Sequence, residues 1–376
     1  MAEPAPRRAR LVPLREVDQR LREAWADLAG RAVEPNPYLE PGPVLAAARH
    51  LPDGATAELL VVERAGRLEL ALPVRRARGY RRVPVPTYRA WGHDDCFLET
   101  PLLDSPDPGA TWGSALAGLA SGTTGWLSFE QLPGDGAVRS ALEAAGRRGA
   151  APVVLGSTER PVVHRRAEAT YLDGRLSSSR RRKLGRTRRR LERELDAAVS
   201  LVDRSAVDPQ AALARFLELE AGGWKGEAGT ALATSSARAA AFTETFVDAC
   251  AAGRAQLWEL RAGERVVAAL CVLVGGSGAF HVKTAFDEAF SSSSPGLQLE
   301  VAVLEAFHDD PALGWIDSGS VEDASSPSTL LYPDRRRLDA VVVPLRGRAS
   351  RLPALTLRGS MLWRARRSRG AEPGED

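Results

Sequence analysis

A serine-rich loop in front of an apolar segment is the first place in this sequence where backbone and side chains could do chemistry. Four consecutive serines end at Ser294 and are followed by Pro295 and Gly296. Apolar residues then recur with helical spacing as far as Phe307, and a proline in the first turn is a common helix start. The first N–H groups of such a helix face any anion in front of them. The candidate cofactor ligands here are Ser293, Ser294, Pro295, Gly296 and Leu297.

Three side chains near this loop are candidates for removing a proton from a substrate. His281 lies in the alternating segment before the loop, Asp287 follows that segment, and Asp317 ends the next predicted strand. We favour Asp317 as the general base, because a strand end would place it in a cleft where two central strands separate. The alternatives are that Asp317 is a turn or cap residue and that His281 is a hydrogen-bonded wall residue of its strand.

The strand that contains His281 is also expected to offer backbone groups to a reaction. A β-bulge near Lys283 or Thr284 would direct an N–H group toward a developing oxyanion. Lys283 itself is a candidate for contact with the cofactor. The strand therefore predicts a base, an oxyanion donor and a cation within a few residues.

Two further segments carry candidate substrate-binding residues. Trp224 and Lys225 precede Gly226 in a glycine-rich loop, where the indole would form a wall and the ammonium group would meet a phosphate or carboxylate. Arg335 and Arg336 precede the last predicted strand and would bind a sugar phosphate or the 3′-phosphate of a cofactor. The alternatives are a Trp224 buried between two domains and solvated arginines.

The elements that must position these residues form a repeating pattern. In the C-terminal half, an alternating segment from Gln256 turns at Gly263 into an apolar strand, and a third strand follows over residues 279–286. In the N-terminal half, predicted strands over 56–63 and 68–74 meet at the same Arg-Ala-Gly tip. Two helix-like segments precede each hairpin. The pattern predicts one α/β fold used twice, each copy a mixed and mostly antiparallel sheet flanked by helices.

Length and composition agree with this organisation. The chain has 376 residues, enough for two domains of ordinary size, and we predict domains over 1–170 and 171–345 with a basic tail over 346–376. It is 44% hydrophobic and 26% charged, with no apolar stretch near the ~20 residues that a membrane span needs. No apolar stretch follows the N-terminal arginines, so we expect no cleaved signal and a cytoplasmic location.

Cysteine and histidine spacings give no metal-binding pattern. Three cysteines without metal-ligand spacing argue against a disulfide framework or a zinc site, and the five histidines are scattered along the chain. Walker, dinucleotide and nucleophile-elbow motifs are also missing from the sequence. We therefore expect no metal cofactor.

The strongest local charge is in a serine-capped segment from Ser177 to Leu195. Its leucines share one helical face and its arginines cover the rest, although the whole chain has a net charge of only +3. The open interpretations are a solvated helix face, contact with phosphates of a cofactor or substrate, and binding of nucleic acid or a membrane surface. We expect no sequence-specific nucleic-acid binding. The tail Arg346–Arg369 is also basic and leucine-containing, which favours contact with an anionic membrane or packing on its own domain.

Three runs of residues, in this order, resemble a known family. They are the basic run from Leu176 to Leu184, the run Trp224-Lys225-Gly226, and Phe286-Asp287-Glu288 followed by Ser294-Pro295-Gly296. They resemble the CelD/BcsL-like branch of the GNAT acetyltransferases, which is similar to the Fem-type peptidoglycan aminoacyltransferases with their two GNAT-like domains. The likeness is clearest over 176–343 and mainly topological over 11–163.

The resemblance implies tandem GNAT-like domains, the first degenerate, and transfer of an acyl group from acetyl-CoA or another acyl-CoA. The implied acceptor is an amine or hydroxyl of a small molecule, glycan or lipid-linked molecule, or of a peptide, in a polysaccharide or envelope pathway. By the resemblance, Ser294 to Leu297 occupy the pyrophosphate loop. This loop has fewer glycines than is usual and lacks an Arg or Gln at its start, so serine hydroxyls must supply donors.

Two other functions stay open at this point. One is a Fem-type aminoacyltransferase that uses aminoacyl-tRNA, although the sequence shows no long coiled-coil stretch for a tRNA-binding arm. The other is a non-catalytic protein that binds a polyanion through the segment 180–193. For the location of the protein, peripheral contact with the inner face of the membrane through the basic segments is an alternative to a purely cytoplasmic location.

Overall fold

One continuous β-sheet runs through both halves of the computed structural model, which describes residues 5–120, 122–146, 151–321, 323 and 326–369. The strands are β1 (Arg8–Pro13), β2 (Ala57–Arg64), β3 (Arg67–Ala77), β4 (Thr87–Ala90), β5 (Leu102–Leu103), β6 (Trp126–Pro133), β7 (Val153–His164), β8 (Val199–Asp203), β9 (Ala255–Ala262), β10 (Arg265–Gly275), β11 (Gly278–Phe286), β12 (Trp315–Asp317) and β13 (Asp334–Pro344). The helices are α1 (Gln19–Arg31), α2 (Pro41–His50), α3 (Pro108–Leu119), α4 (Gly136–Gly146), α5 (Ser178–Glu194), α6 (Pro209–Ala221), α7 (Trp224–Glu227), α8 (Ser236–Ala251), α9 (Pro295–Asp309), α10 (Pro327–Leu331) and α11 (Gly347–Arg369). The 3-10 turns are Leu14–Glu16, Pro37–Leu39, Pro52–Thr56, Leu232–Thr234 and Glu288–Ser293.

The two halves of the chain use the same strand arrangement. In the N-terminal half, β1 to β4 are antiparallel neighbours and β4 pairs in parallel with β6. In the C-terminal half, β8 to β11 are antiparallel neighbours and β11 pairs in parallel with β12. The corresponding hairpins turn at Gly66 and Gly263, whose φ angles of 79° and 58° are readily reached only by glycine. The predicted fold class and its repeat are confirmed.

The last strands of the two halves are exchanged. β13, near the end of the chain, lies between β6 and β7 of the N-terminal half, and β7 pairs with β12 of the C-terminal half. The order across the sheet is β1-β2-β3-β4-β6-β13-β7-β12-β11-β10-β9-β8, with β5 paired to β3. The domain boundary near residue 170 stays a prediction, and a strand from each side of it pairs with the other half.

β13 packs on both of its faces. Its residues from Leu338 to Pro344 are all buried. Val341 and Val343 join the larger hydrophobic core, whereas Val342 lies under α11 and packs with Ala354. Alternate residues of a strand point to opposite faces of a sheet, so this single strand joins two cores.

Helices cover the two faces of the C-terminal half. Alternate residues of β10 separate the faces, because Cys271 packs with the core that contains α8 and Leu270 packs with the core that contains α9. On the first face α8 contacts α2 of the N-terminal half, and Glu244 of α8 accepts hydrogen bonds from Arg49 and His50 of α2. No helix among the described residues is both long and apolar enough to span a membrane.

Candidate active site

A cleft opens where the two central strands of the C-terminal half separate. β11 and β12 pair only from Gly278 to Phe280, because β12 ends at Asp317 while β11 continues for six residues to Phe286. The chain turns away at Gly319, where φ is +67° and a Cβ atom would lie 2.0 Å from the carbonyl oxygen of His281. Only glycine fits this turn, so the local sequence fixes the place where the strands part.

Both halves of the chain line the cleft. Its volume is about 600 Å³, which is within the range of small-molecule sites. The C-terminal half supplies most of the wall, including His281, Lys283 and Gly296. The N-terminal half supplies Phe97, Gln131 and Arg160. The cleft is therefore incomplete without the N-terminal half.

The N-terminus of α9 reaches this cleft without a side-chain cap. Ser294 adopts a left-handed conformation with φ of 54°, Pro295 opens the helix, and no side chain caps it. Gly296 lines the cleft, while Gln298 donates from its side chain to the Ser293 carbonyl at 2.7 Å. Ser293 is fully buried, and its hydroxyl has no hydrogen-bond partner among the described residues. The N–H groups of Gly296 and Leu297, in the first turn of α9, suit a phosphate.

β11 is irregular where it passes the cleft. Cys271 of β10 lies opposite Lys283 and Val272 lies opposite His281, so Val282 is an extra residue in the ladder. A bulge was predicted near Lys283 or Thr284, and the structure places it at Val282. Bulges commonly redirect backbone groups beside active sites.

His281 is held by two side chains of the C-terminal half. Its Nδ1 lies 3.7 Å from Glu300 Oε1 and 3.4 Å from the Tyr332 hydroxyl, which itself donates to Glu300 Oε2 at 2.8 Å. Burial and the Glu300 carboxylate raise the pKa of Tyr332, which keeps that hydroxyl a donor. With the proton on Nδ1, Nε2 carries a lone pair. Nε2 has no hydrogen-bond partner in the described ranges, and His281 lines the cleft.

Asp317 lies deeper than predicted and is already engaged. It is fully buried; Oδ1 accepts from the Gly319 N–H at 2.9 Å and lies 3.4 Å from Arg160 Nη1. Its other oxygen lies 3.6 Å from Arg336 Nη1. Asp317 is not among the residues that line the cleft. These contacts favour a structural ion pair for Asp317 and His281 as the candidate base.

Asp287 is separate from this group. Its carboxylate pairs with Arg265 and accepts from the Ala289 N–H at 3.1 Å, which caps the 3-10 turn before α9. It lines a neighbouring depression instead of the cleft that contains His281. The structure does not bring Asp287 together with the other candidate bases.

Lys225 and Lys283 meet at one side of the cleft. Both ammonium groups approach Glu220 Oε1, at 3.4 and 3.5 Å, and Lys283 also lies 3.6 Å from Asp95. Lys225 donates to the Thr284 carbonyl at 2.9 Å. Burial and the neighbouring Lys283 ammonium group lower the pKa of Lys225. The two lysines, predicted for different roles, therefore form one charged network.

Of the remaining residues predicted to bind the substrate, one lines the cleft and two do not. Trp224 lines the cleft and is 56% exposed, so it forms an accessible wall. Arg335 donates to backbone carbonyls of Tyr332 and Asp334, at 2.8 and 2.9 Å. Arg336 lies over the ring of Trp315. Neither arginine lines the cleft.

Sequence reasoning missed Arg160 and Glu220, two buried charged residues near the cleft, and it also missed Glu300, which contacts His281 and Tyr332. Arg160 is 1% exposed and donates to the Phe97 carbonyl and to Gln131 Oε1, both at 2.6 Å. Glu220 is also buried, and one signal for it existed. It follows Phe216 by four residues on the buried face of α6, where an acidic residue is unusual.

The N-terminal half fills its equivalent site with its own chain. Glu99 accepts from the backbone N–H groups of Glu130 and Gln131 in β6, beside the point where β4 ends. The helix that corresponds to α9 is α3, and the Asp107 carboxylate caps it by accepting from the Ala110 N–H at 3.0 Å. Carboxyl groups of the chain thus cap α3 and accept from β6 in the N-terminal half, whereas α9 has no side-chain cap among the described residues.

The burial of Glu99 predicts that the stability of the protein depends on pH. Burial raises the pKa of Glu99 from 4.5 to about 7, despite its backbone hydrogen bonds. The pKa of Glu99 is higher in the folded state than in the unfolded state. Protonated Glu99 therefore contributes to the stability of the fold below pH 4.5, and this contribution is lost as pH rises through about 7. Glu99→Gln keeps an acceptor for both N–H groups, so it should raise the free energy of unfolding at pH 8 by roughly 2 to 3 kcal/mol.

Chemical denaturation at pH 5 and pH 8 measures this effect. Glu264→Gln, at a fully exposed side chain, is the matched control and should change little at either pH. Equal stability of Glu99→Gln and wild type at pH 8 would contradict a buried, proton-binding Glu99.

Comparison with known proteins agrees with this geometry. A family profile described as an acetyltransferase (GNAT) domain matches residues 178–322, from α5 to just beyond β12. The structure of FemX aligns with a TM-score of 0.55 at 10% identity, over 86% of this chain and 95% of that chain. A conserved protein of unknown function from Bacteroides thetaiotaomicron gives 0.53 at 11% identity, over 86% and 96%. The C-terminal domain of a putative lysylphosphatidylglycerol synthetase from Agrobacterium fabrum gives 0.51 at 12% identity, over 89% and 94%.

No curated protein gives a significant sequence match. At these identities the structural neighbours show a shared fold and nothing about substrates. The profile match defines the class of the matched part: residues 178–322 form a GNAT acetyltransferase domain, and the chain is an acyltransferase. The predicted enzyme class is confirmed.

Proposed function

We propose that the protein transfers an acyl group from acetyl-CoA or another acyl-CoA to an amine or hydroxyl acceptor held between its two halves. The observation that carries the proposal is that one cleft is lined both by Gly296, in the first turn of the uncapped helix α9, and by His281, whose Nε2 has no hydrogen-bond partner among the described residues. An anion site and a base side by side are what acyl transfer from a phosphate-bearing thioester needs.

The chemistry asks little of the protein beyond this arrangement. The acceptor nitrogen or oxygen attacks the thioester carbon while His281 Nε2 takes its proton, and the thiolate then leaves. Glu300 and Tyr332 hold the imidazole in the required orientation. A backbone N–H group at the Val282 bulge stabilises the oxyanion.

The wall opposite β11 supports a polar acceptor. Ser318, Ser320, Ser326 and Ser328 line the cleft together with Gln131. Hydroxyl and amide groups recognise hydroxyls and amides, so we propose a sugar, lipid-linked or peptide acceptor, with a glycan as the first choice. The order of the sequence motifs supports a place in the CelD/BcsL-like branch, and the polar wall supports a role in polysaccharide or envelope synthesis.

Thermal unfolding with coenzyme A, acetyl-CoA and a long-chain acyl-CoA tests the donor site. At about 100 times its dissociation constant, a ligand should stabilise the wild type by roughly 2.7 kcal/mol. Gly296→Glu should remove this effect, because it places a carboxylate where a phosphate would bind. A Cβ atom at Gly296 would meet only Phe286, at an ordinary 3.6 Å, so the variant should fold.

Gly30→Glu is the matched control for that experiment. Gly30 is exposed on α1, and a Cβ atom there would meet nothing within 4 Å. The control should keep the full stabilisation. If none of the three ligands stabilises the wild type, the proposed donor is wrong.

Aminoacyl-tRNA is the second candidate donor, and the cationic surface of α5 is the observation that favours it. This alternative predicts tRNA binding that weakens steeply with salt. A non-catalytic polyanion-binding protein would show the same salt dependence with no thioester turnover. For location, we propose the cytoplasm with peripheral contact at the inner face of the membrane through α5 and α11, whose basic residues suit anionic headgroups.

A further inference from the structure

The charge of the chain is concentrated on one helix. α5 contains nine arginines and lysines and two glutamates, a charge of +7, so the rest of the chain has a net charge of −4. Arg181 pairs with Asp173 and Arg188 pairs with Glu192. The other cations of α5 form no ion pair within the part of the chain that the structure describes. Such a surface attracts anions from outside.

The orientation of α5 is fixed by its inner face. Leu191 is fully buried, and Arg188 donates to the Val199 carbonyl at 2.6 Å. Lys183, Arg186 and Arg190 are spaced three and four residues apart, so they lie on one side of the helix, over about 10 Å. All three are exposed. We call them the cationic stripe.

The cationic stripe begins at the loop that leads into the donor site. Arg190 donates to the hydroxyl of Ser292, in the 3-10 turn directly before α9. The turn and α5 are also in contact. One end of the stripe therefore lies at the turn that precedes the anion site of α9.

We propose that the cationic stripe binds the ribose 3′-phosphate of the acyl-CoA donor; this inference rests on the proposed function and specifies how its donor is recognised. The thioester must reach His281 and the pyrophosphate the N-terminus of α9, so the nucleotide end lies outside the cleft, where Arg190 and Arg186 are exposed. A terminal phosphate carries more charge than each pyrophosphate group, and guanidinium groups bind it through paired hydrogen bonds. The donor would thus be held at both ends of its phosphate-bearing half.

Binding of acetyl-CoA and of 3′-dephospho-acetyl-CoA, measured by calorimetry at one fixed low ionic strength, tests this inference. The two ligands differ only in the 3′-phosphate. We expect wild type to bind acetyl-CoA roughly 10- to 100-fold more tightly, the size expected for hydrogen bonds to a charged group. In the double variant Arg186→Gln and Arg190→Gln, this ratio should fall to about 1, while the affinity for the dephospho ligand stays unchanged.

A second double variant separates a specific contact from general attraction. Arg180→Gln with Arg181→Gln removes the same charge from the same helix, at exposed positions that are neither three nor four residues away from Arg186 or Arg190. It should keep the wild-type ratio. Adenosine 3′,5′-bisphosphate, which lacks the pantetheine and the thioester, should also bind wild type more tightly than it binds the stripe variant.

The outcomes are distinct. A ratio near 1 in wild type, or a ratio that survives in the stripe variant, overturns the inference and leaves the donor site at α9 intact. Equal loss of the ratio in both double variants also overturns it, because the effect would then be bulk charge. If wild type binds neither ligand, the proposed function fails and this inference fails with it.

Discussion

Replacing His281 with alanine is expected to lower kcat by about 10²- to 10⁴-fold, the range that a general base contributes. His281 lines the cleft, its Nδ1 faces Glu300 and Tyr332, and its Nε2 is free among the described residues. The measurement is release of the CoA thiol during transfer to whichever acceptor supports the highest wild-type rate. Stabilisation by acetyl-CoA should persist, because the proposed phosphate contacts lie on α9.

Two variants separate a base from a residue that only shapes the cleft. Glu300→Gln keeps an acceptor for the Tyr332 hydroxyl but removes the carboxylate that orients His281, so its loss of kcat should lie between those of wild type and His281→Ala. Asp317→Asn should act mainly on stability, because Asp317 is buried between Arg160 and Arg336. A His281→Ala enzyme that keeps more than a tenth of the wild-type rate would rule out His281 as the base. If Asp317→Asn loses more kcat than His281→Ala does while its stability is unchanged, Asp317 would again be the candidate base.

Local signals in the sequence were sufficient for the elements of the C-terminal half. A glycine at a hairpin tip, four serines before a proline and a helical apolar spacing are set by neighbouring residues, and the structure has β9, β10, β11 and α9 in that order. Capping of α5 by Ser177, whose hydroxyl accepts from the Arg180 N–H at 3.3 Å, is equally local. Such features follow from φ, ψ and helix-end chemistry, so a single sequence reveals them.

The choice between Asp317 and His281 depends on contacts that no local pattern contains. Arg160, which lies against Asp317, is 157 residues away in the sequence and reaches it only because β7 pairs with β12. Arg336 reaches it because β13 enters the sheet beside β7. The sequence shows where strands begin and end, but alternation in a strand does not specify its neighbours. The exchange of strands therefore places Asp317 in a buried position between two arginines.

The exchange also predicts that neither half folds alone. Separate chains 1–170 and 171–376 should each lack a cooperative unfolding transition, because β13 has all its strand partners, β6 and β7, in the other chain. Seven consecutive buried residues, Leu338 to Pro344, would then lose their neighbours, and β12 would lose β7. Unpaired apolar strands of this kind aggregate readily. Circular dichroism and denaturant titration of each fragment measure the loss.

A cut in the connecting segment is the matched control, since it breaks the chain without removing a strand. A protease site inserted between Glu168 and Ala169, which are both exposed, should allow cleavage after folding. The two pieces should remain together on gel filtration and unfold as one unit, because β7–β12, β13–β6 and β13–β7 pairing holds them. Co-expressed fragments should assemble in the same way. A fragment 171–376 that folds cooperatively and binds acetyl-CoA by itself would show that the exchanged strands are dispensable, and the cleft would then have to function without Arg160.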